Sequence, residues 1–183
     1  MSLPDICTEI DSLAPGRATQ SGARRRTVLH AGVGLGYAAA AAPLMAQTAI
    51  ATSAEGLDAG RVHYERDGFQ VPAYRAKPAG KTLLPVVLVV QEIFGVHEYI
   101  ADVCRRLARE GYLAIAPELY ARQGDETKYS EIASLMADLV SKVPDAQVMG
   151  DLDSALDWAA QNGGDMSRAG ITGFCWGGRI TWL

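Results

Sequence analysis

Leu83–Val90 is the segment that most narrows what this chain can fold into. Its eight residues carry no charge and no polar side chain, and Val and Leu dominate them. A strand with no polar alternation has both faces covered, as in parallel sheets sandwiched between helices. The surrounding sequence agrees. Arg61–Glu65 and Phe69–Arg75 flank Asp67-Gly68, a dipeptide that favours a type I′ hairpin turn. Pro78-Ala79-Gly80-Lys81 reads as a loop. His97–Glu110 sets Ile100, Val103, Cys104 and Leu107 at helical spacing and stops at Gly111. Tyr112–Ala116 is a short apolar strand ended by Pro117. Tyr129–Lys142 and Ala146–Asn162 read as helices parted by Pro144, the second with a stripe of Val148, Leu152, Ala155, Leu156 and Ala159. Gly163-Gly164 breaks it, and Ala169–Gly173 is a last strand. The alternation predicts an α/β fold built on a doubly wound, mostly parallel sheet.

The first 51 residues are of another kind. A polar leader with Asp5, Glu9 and Asp11 gives way to Arg24-Arg25-Arg26-Thr27-Val28-Leu29 and then to a Gly/Ala-rich apolar run over Ala31–Ala46. Arg25-Arg26-x-Val28-Leu29 resembles a twin-arginine export signal. The run is 16 residues long and contains Gly32, Gly34, Gly36 and Pro43. That is short and weak for a stable bilayer span. Ala46, Ala49 and Ala51 offer signal-peptidase sites. The expected organisation is a signal and leader over 1–51 and one α/β domain over 52–183. The expected location is periplasmic or secreted, reached with the twin-arginine machinery as partner; the alternative is a cytoplasmic or membrane-anchored chain.

Composition excludes several classes. With 49% hydrophobic and 21% charged residues the chain is neither disordered nor fibrous. Seventeen Lys and Arg stand against 21 Asp and Glu, so no basic surplus exists to hold nucleic acid. Cys7, Cys104 and Cys175 are too few and scattered for a zinc cage or a disulfide framework. No carboxylate–histidine cluster suggests a metal, and no phosphate-cradling loop suggests a nucleotide cofactor.

The chemistry gathers after the last strand. Gly173-Phe174-Cys175-Trp176-Gly177 fits G-x-C-x-G, a nucleophile elbow with cysteine in place of serine. Such a turn passes so sharply from strand to helix that its neighbours must lack side chains, which Gly173 and Gly177 satisfy. Gln91-Glu92-Ile93-Phe94-Gly95 follows the buried strand directly. In this arrangement the backbone N–H groups of Ile93 and Trp176 form the oxyanion hole. Glu92 becomes a carboxylate at the pocket floor. His97 is expected to cap its helix, Cys104 to be a small core residue, and Asp151, Asp153 and Asp157 to form a solvated face.

Four stretches together resemble the dienelactone hydrolase family, the carboxymethylenebutenolidases: Gln91–His97, Pro117–Gln123, Gly150-Asp151-Leu152 and Gly173–Gly178. The likeness covers about residues 57–183. It implies an α/β-hydrolase fold and a small-molecule lactone or ester substrate, with no cofactor. It implies that Cys175 attacks the carbonyl and that Glu92 takes the thiol proton once substrate has bound. Two departures stand out. The family's arginine that pairs with this glutamate and binds the substrate carboxylate has no counterpart in the helix near Ala133; Arg122 and Lys128 are the nearest cations, and Arg122 is the candidate substrate ligand. The family's aspartate and histidine follow the nucleophile, whereas eight residues follow Cys175 here. The expectation is an incomplete hydrolase fold, inactive by itself. The alternatives are a truncated non-catalytic product or another cysteine-elbow enzyme, amidotransferase-like or DJ-1-like; those carry histidine after the nucleophile, where this chain has Trp176.

Overall fold

The computed structural model describes residues 51–183. The twin-arginine motif and the apolar run lie outside the described residues. β1 (Leu57–Arg66) and β2 (Phe69–Pro78) form an antiparallel hairpin. Both turn residues take positive φ, Asp67 at 51° and Gly68 at 76°. A type I′ turn requires that of both, and Asp-Gly supplies it at low cost. β3 (Leu84–Val90), β4 (Leu113–Pro117) and β5 (Gly164–Gly173) complete one sheet in the order β1-β2-β4-β3-β5. β4, β3 and β5 run parallel, while β2 meets β4 antiparallel. The fold is therefore mixed α/β with a parallel sheet centre, as the uninterrupted apolar run of β3 implies.

Each face of that centre is covered by one long helix. α1 (Glu98–Arg109) buries Ile100, Cys104 and Ala108 against Ala76, Val89, Ala114 and Ala116. Alanine on both sides lets helix and sheet approach closely. Cys104 is fully enclosed, and burial pushes its thiol pKa up to about 12, so it is the inert core residue its position suggests. α3 (Asp145–Gln161) closes the opposite face with Val148, Leu152, Ala155 and Ala159 over Val86, Leu88, Leu113 and Ile115. Among the described residues no helix is long and apolar enough to cross a membrane.

Three local readings need correction. The helix expected over 129–142 is shorter: α2 covers Ile132–Asp138, with 3-10 turns at Glu126–Lys128 and Val140–Lys142. The Asp125 side chain accepts from Thr127 N–H and closes the first turn, after which Tyr129 and Glu131 are extended. β5 begins at Gly164 rather than Ala169. Leu84 pairs with Gly164 and Pro85 with Asp165, then the register jumps so that Val86 meets Ala169. The polar residues between hide the strand's first half from a hydrophobicity reading. Asp151 does not belong to a solvated face with Asp153 and Asp157. It is fully buried, while the other two are exposed. Arg122, in the segment after β4, and Arg66, at the end of β1, reach it at 2.5 Å and 3.8 Å. A Cβ on Gly150 would run into the Arg66 guanidinium, so that glycine opens the way for Arg66.

β5 is the last strand of the sheet and pairs with β3 alone among the described residues. Its residues from Met166 to Ile171 are exposed. Ile171 is the large apolar side chain that lies in the open on the strand's second half.

Candidate active site

β5 ends at Gly173, and α4 (Trp176–Ile180) begins after only Phe174 and Cys175. Cys175 carries the whole reversal, with φ 53° and ψ −114°, a backbone region L-residues rarely occupy. The flanking glycines show why it can. A Cβ on Gly173 would strike the Gly177 carbonyl, and one on Gly177 would strike the carbonyls of Val90 and Gln91. The turn is thus pressed directly onto the end of β3. Ile180 buries into the core, and Arg179 grips Asp145 of α3 through both guanidinium nitrogens, at 2.9 and 2.6 Å. Those anchors hold a helix of barely more than one turn. The Cys175 side chain is exposed, in contrast to Cys104.

The 91–97 loop lies beside it. Gly95 turns at φ 78° and pairs back onto Glu92, which brings residues five apart together. His97 Nε2 lies 3.0 Å from Glu92 Oε2. The other ring nitrogen, Nδ1, accepts from Tyr99 N–H at 3.3 Å and caps α1. An accepting Nδ1 puts the ring hydrogen of a neutral imidazole on Nε2, so His97 donates to Glu92. The capping role expected of His97 is present; its hold on Glu92 is an addition that sequence reading missed. The signal was there, in a glycine turn spaced between an acid and a histidine.

Further groups line the same side. Tyr120 donates to the Glu92 carbonyl at 3.4 Å, and its ring meets Trp176 at 5.2 Å between centroids. Burial raises the Tyr120 pKa, and the Glu126 and Glu92 carboxylates push the same way. The phenol is therefore a neutral donor facing these groups. Glu118 accepts from Val96 N–H at 3.2 Å and pairs with Arg61. Glu126 lies against Gly95, where any side chain would displace it. Burial raises its carboxyl pKa, and Glu118 and Asp125 add to the rise. Phe174 meets Tyr99 edge-on at 6.3 Å.

Structure thus gathers Glu92, Ile93, Cys175 and Trp176 around the ends of β3 and β5, two neighbouring parallel strands. Arg122 is not brought to them. Its guanidinium pairs with buried Asp151, donates to the Arg66 carbonyl at 3.3 Å and lies 4.7 Å over the Phe69 ring. His63 lies on β1, at the far end of the strand order from β5. Among the described residues no three His, Cys, Asp or Glu side chains form a metal-holding group.

Comparison with known proteins places this geometry in a lineage. The model of the dienelactone hydrolase family matches residues 71–183. A Methylorubrum extorquens protein described as a carboxymethylenebutenolidase is 55% identical over 177 residues, covering 96% of this chain and 61% of its own. An Escherichia coli protein of the same description is 57% identical over 149 residues, covering 81% of this chain and 55% of its own. A crystal structure from Klebsiella pneumoniae, described as a dienelactone hydrolase, superposes with a TM-score of 0.68 at 62% identity. It covers 69% of this chain and 53% of that one. The chain spans little more than half the length of these relatives. A strained cysteine elbow, the acid loop after β3 and the match over 71–183 lead to one conclusion: the chain belongs to the dienelactone hydrolase family.

Proposed function

We propose that this chain carries the nucleophile half of a hydrolase acting on a lactone or carboxylic ester. The observation that carries the reading is the Cys175 backbone, strained at the strand–helix turn beside the Glu92 loop. Cys175 Sγ attacks the carbonyl carbon while Glu92 takes the thiol proton. The carbonyl oxygen becomes an oxyanion, held by the N–H groups of Ile93 and Trp176. Its collapse breaks the ester C–O bond, expels the alcohol oxygen and leaves a thioester on Cys175. His97, donating to Glu92 Oε2, orients that carboxylate. Arg122, expected from sequence as the substrate ligand, is engaged by Asp151 and is given no role in this step.

Release of the acyl group calls for a base to activate water, which α/β-hydrolases supply as a histidine oriented by an acid. Among the described residues His63 lies on β1 and His97 is engaged by Glu92 and Tyr99. The described part of the chain, residues 51–183, therefore acylates without turning over. With p-nitrophenyl acetate it gives a burst of one p-nitrophenol per chain. Glu92→Gln slows that burst about a hundredfold, since an amide cannot accept the proton. Steady turnover by the unmodified chain, or an unchanged burst in Glu92→Gln, defeats the assignment.

His97→Asn separates the two duties of that residue. Asparagine is a good N-cap but is too short to reach Glu92. Melting should be nearly unchanged while the burst slows about tenfold, the worth of one lost hydrogen bond to a charged group. A rate equal to the parent's would reduce His97 to a cap.

The leader supports export. Arg25-Arg26-x-Val28-Leu29 before a short apolar run suits the twin-arginine machinery and a periplasmic or secreted location.

A further inference from the structure

Residues 52–55 form neither helix nor strand, apart from the turn that begins at Glu55, yet they are fastened to one face of α1. Thr52 N–H donates to Asp102 Oδ1 at 2.6 Å, and the Thr52 carbonyl accepts from Arg105 Nε at 2.8 Å. Arg109 reaches the Ser53 and Glu55 carbonyls at 2.8 and 3.3 Å. Positions 102, 105 and 109 share a helix face, so three successive turns hold this segment. Asp102 is the unusual member. It is fully buried, though it projects from an amphipathic helix whose apolar stripe is already complete.

Its surroundings are organised around it. Asp102 Oδ2 accepts from Arg106 Nε at 2.6 Å, and Oδ1 lies 3.3 Å from Arg105 Nη2. Arg105 is fixed in turn by the Tyr74 hydroxyl and by Glu98. Burial by itself would raise the Asp102 pKa, but the hydrogen bonds from Thr52 and Arg106 more than reverse this, and it lies below the usual carboxylate range. A buried carboxylate is thereby kept ionised beside the nitrogen of one particular residue.

That nitrogen belongs to the peptide bond after Ala49-Ile50-Ala51, whose small residues at the first and third positions suit a signal peptidase. Ala51 itself is exposed. We propose that the leader is cut between Ala51 and Thr52, and that Asp102 is a built receptor for the new α-ammonium of Thr52. In the cut, the peptidase delivers water to the scissile bond. The C–N bond breaks, hydroxyl goes to the Ala51 carbonyl carbon and hydrogen to the Thr52 nitrogen. Ala51 leaves as a carboxylate, and its proton makes the Thr52 amine an ammonium. A single N–H on Asp102 becomes a charged group with three hydrogens in the same place. The bond turns into an ion pair shielded from water, and processing locks the end of the mature domain onto α1.

The inference rests on the export reading, and its test keeps the two apart. The full chain is expressed in a bacterium with twin-arginine transport, and the precursor is also cut with purified signal peptidase. In both cases the new N-terminus is read by mass spectrometry. The expected N-terminus is Thr52, and the cut form should melt about 4 °C above the uncut precursor. That gap should vanish in Asp102→Asn. Acetylation of the Thr52 α-amine at neutral pH should be at least about tenfold slower in the folded protein than in urea, a measurement that needs no variant. If Arg25→Lys with Arg26→Lys still exports, the export reading fails, while Thr52 at the N-terminus with a protected amine sustains the receptor. A cut at any other bond, or equal melting of cut and uncut forms with a freely reactive amine, overturns the inference whatever the route of export.

Discussion

Cys175→Ala is expected to abolish acylation by activated esters, lowering the burst rate by about 10⁴-fold or more. The variant loses the only atom at the elbow able to form the thioester, while the N–H donors and Glu92 remain. Its fold should be intact, since the Cys175 side chain is exposed and alanine makes no new contact. Cys104→Ala supplies the contrast. That thiol is fully enclosed, with its pKa pushed up to about 12 by burial, so it offers no thiolate at neutral pH and no path to substrate. Its removal should leave the burst in place and cost about 1 kcal/mol of stability through the small cavity. Peptide mapping after brief iodoacetamide treatment should find the Cys175 peptide modified and the Cys104 peptide untouched. Alkylation at Cys104 first, or a full burst in Cys175→Ala, would place the nucleophile elsewhere.

The largest effect on stability is expected from Asp151→Ala. This carboxylate is fully buried, and the guanidinium groups that reach it, on Arg122 and Arg66, are only about a fifth and a quarter exposed. Removing it leaves two largely covered cations without their acid. Breaking one side of a buried ion pair typically costs about 3 kcal/mol, which should lower the melting temperature by roughly 10 °C in a domain of this size. Asp153→Ala, two residues along the same helix but exposed, should melt within about 1 °C of the parent. Gly150→Ala should resemble Asp151→Ala in direction, because its Cβ would displace the Arg66 guanidinium. Equal melting of Asp151→Ala and Asp153→Ala would refute the account of Asp151 as the acid that ties the β1–β2 hairpin to α3. The Gly150-Asp151-Leu152 stretch, read from sequence as one of four family signatures, thus has a structural role in this chain: it receives Arg66 and Arg122.

The amino-acid sequence by itself determined the elements whose cause is local. Asp67-Gly68 dictates a type I′ turn because both residues tolerate positive φ, and the turn is there. The unbroken run over Leu84–Val90 requires cover on both faces, and α1 and α3 supply it. Gly173 and Gly177 disclose the elbow because a tight turn between strand and helix leaves no room for side chains at those places. Tertiary structure decided what depends on residues distant in sequence. Asp151, Asp153 and Asp157 look alike along one helix, and only the arrival of Arg66 and Arg122 from other elements makes the first a buried ion-pair partner. Arg122 looks like a free cation near a site until the hairpin brings Phe69 and the Arg66 carbonyl beneath it. The first half of β5 is polar and carries no hydrophobic pattern, so only its pairing with Leu84 and Pro85 reveals it. Asp102 is the same case in a different place. It accepts from the Thr52 N–H, a contact between positions fifty residues apart that no local propensity encodes.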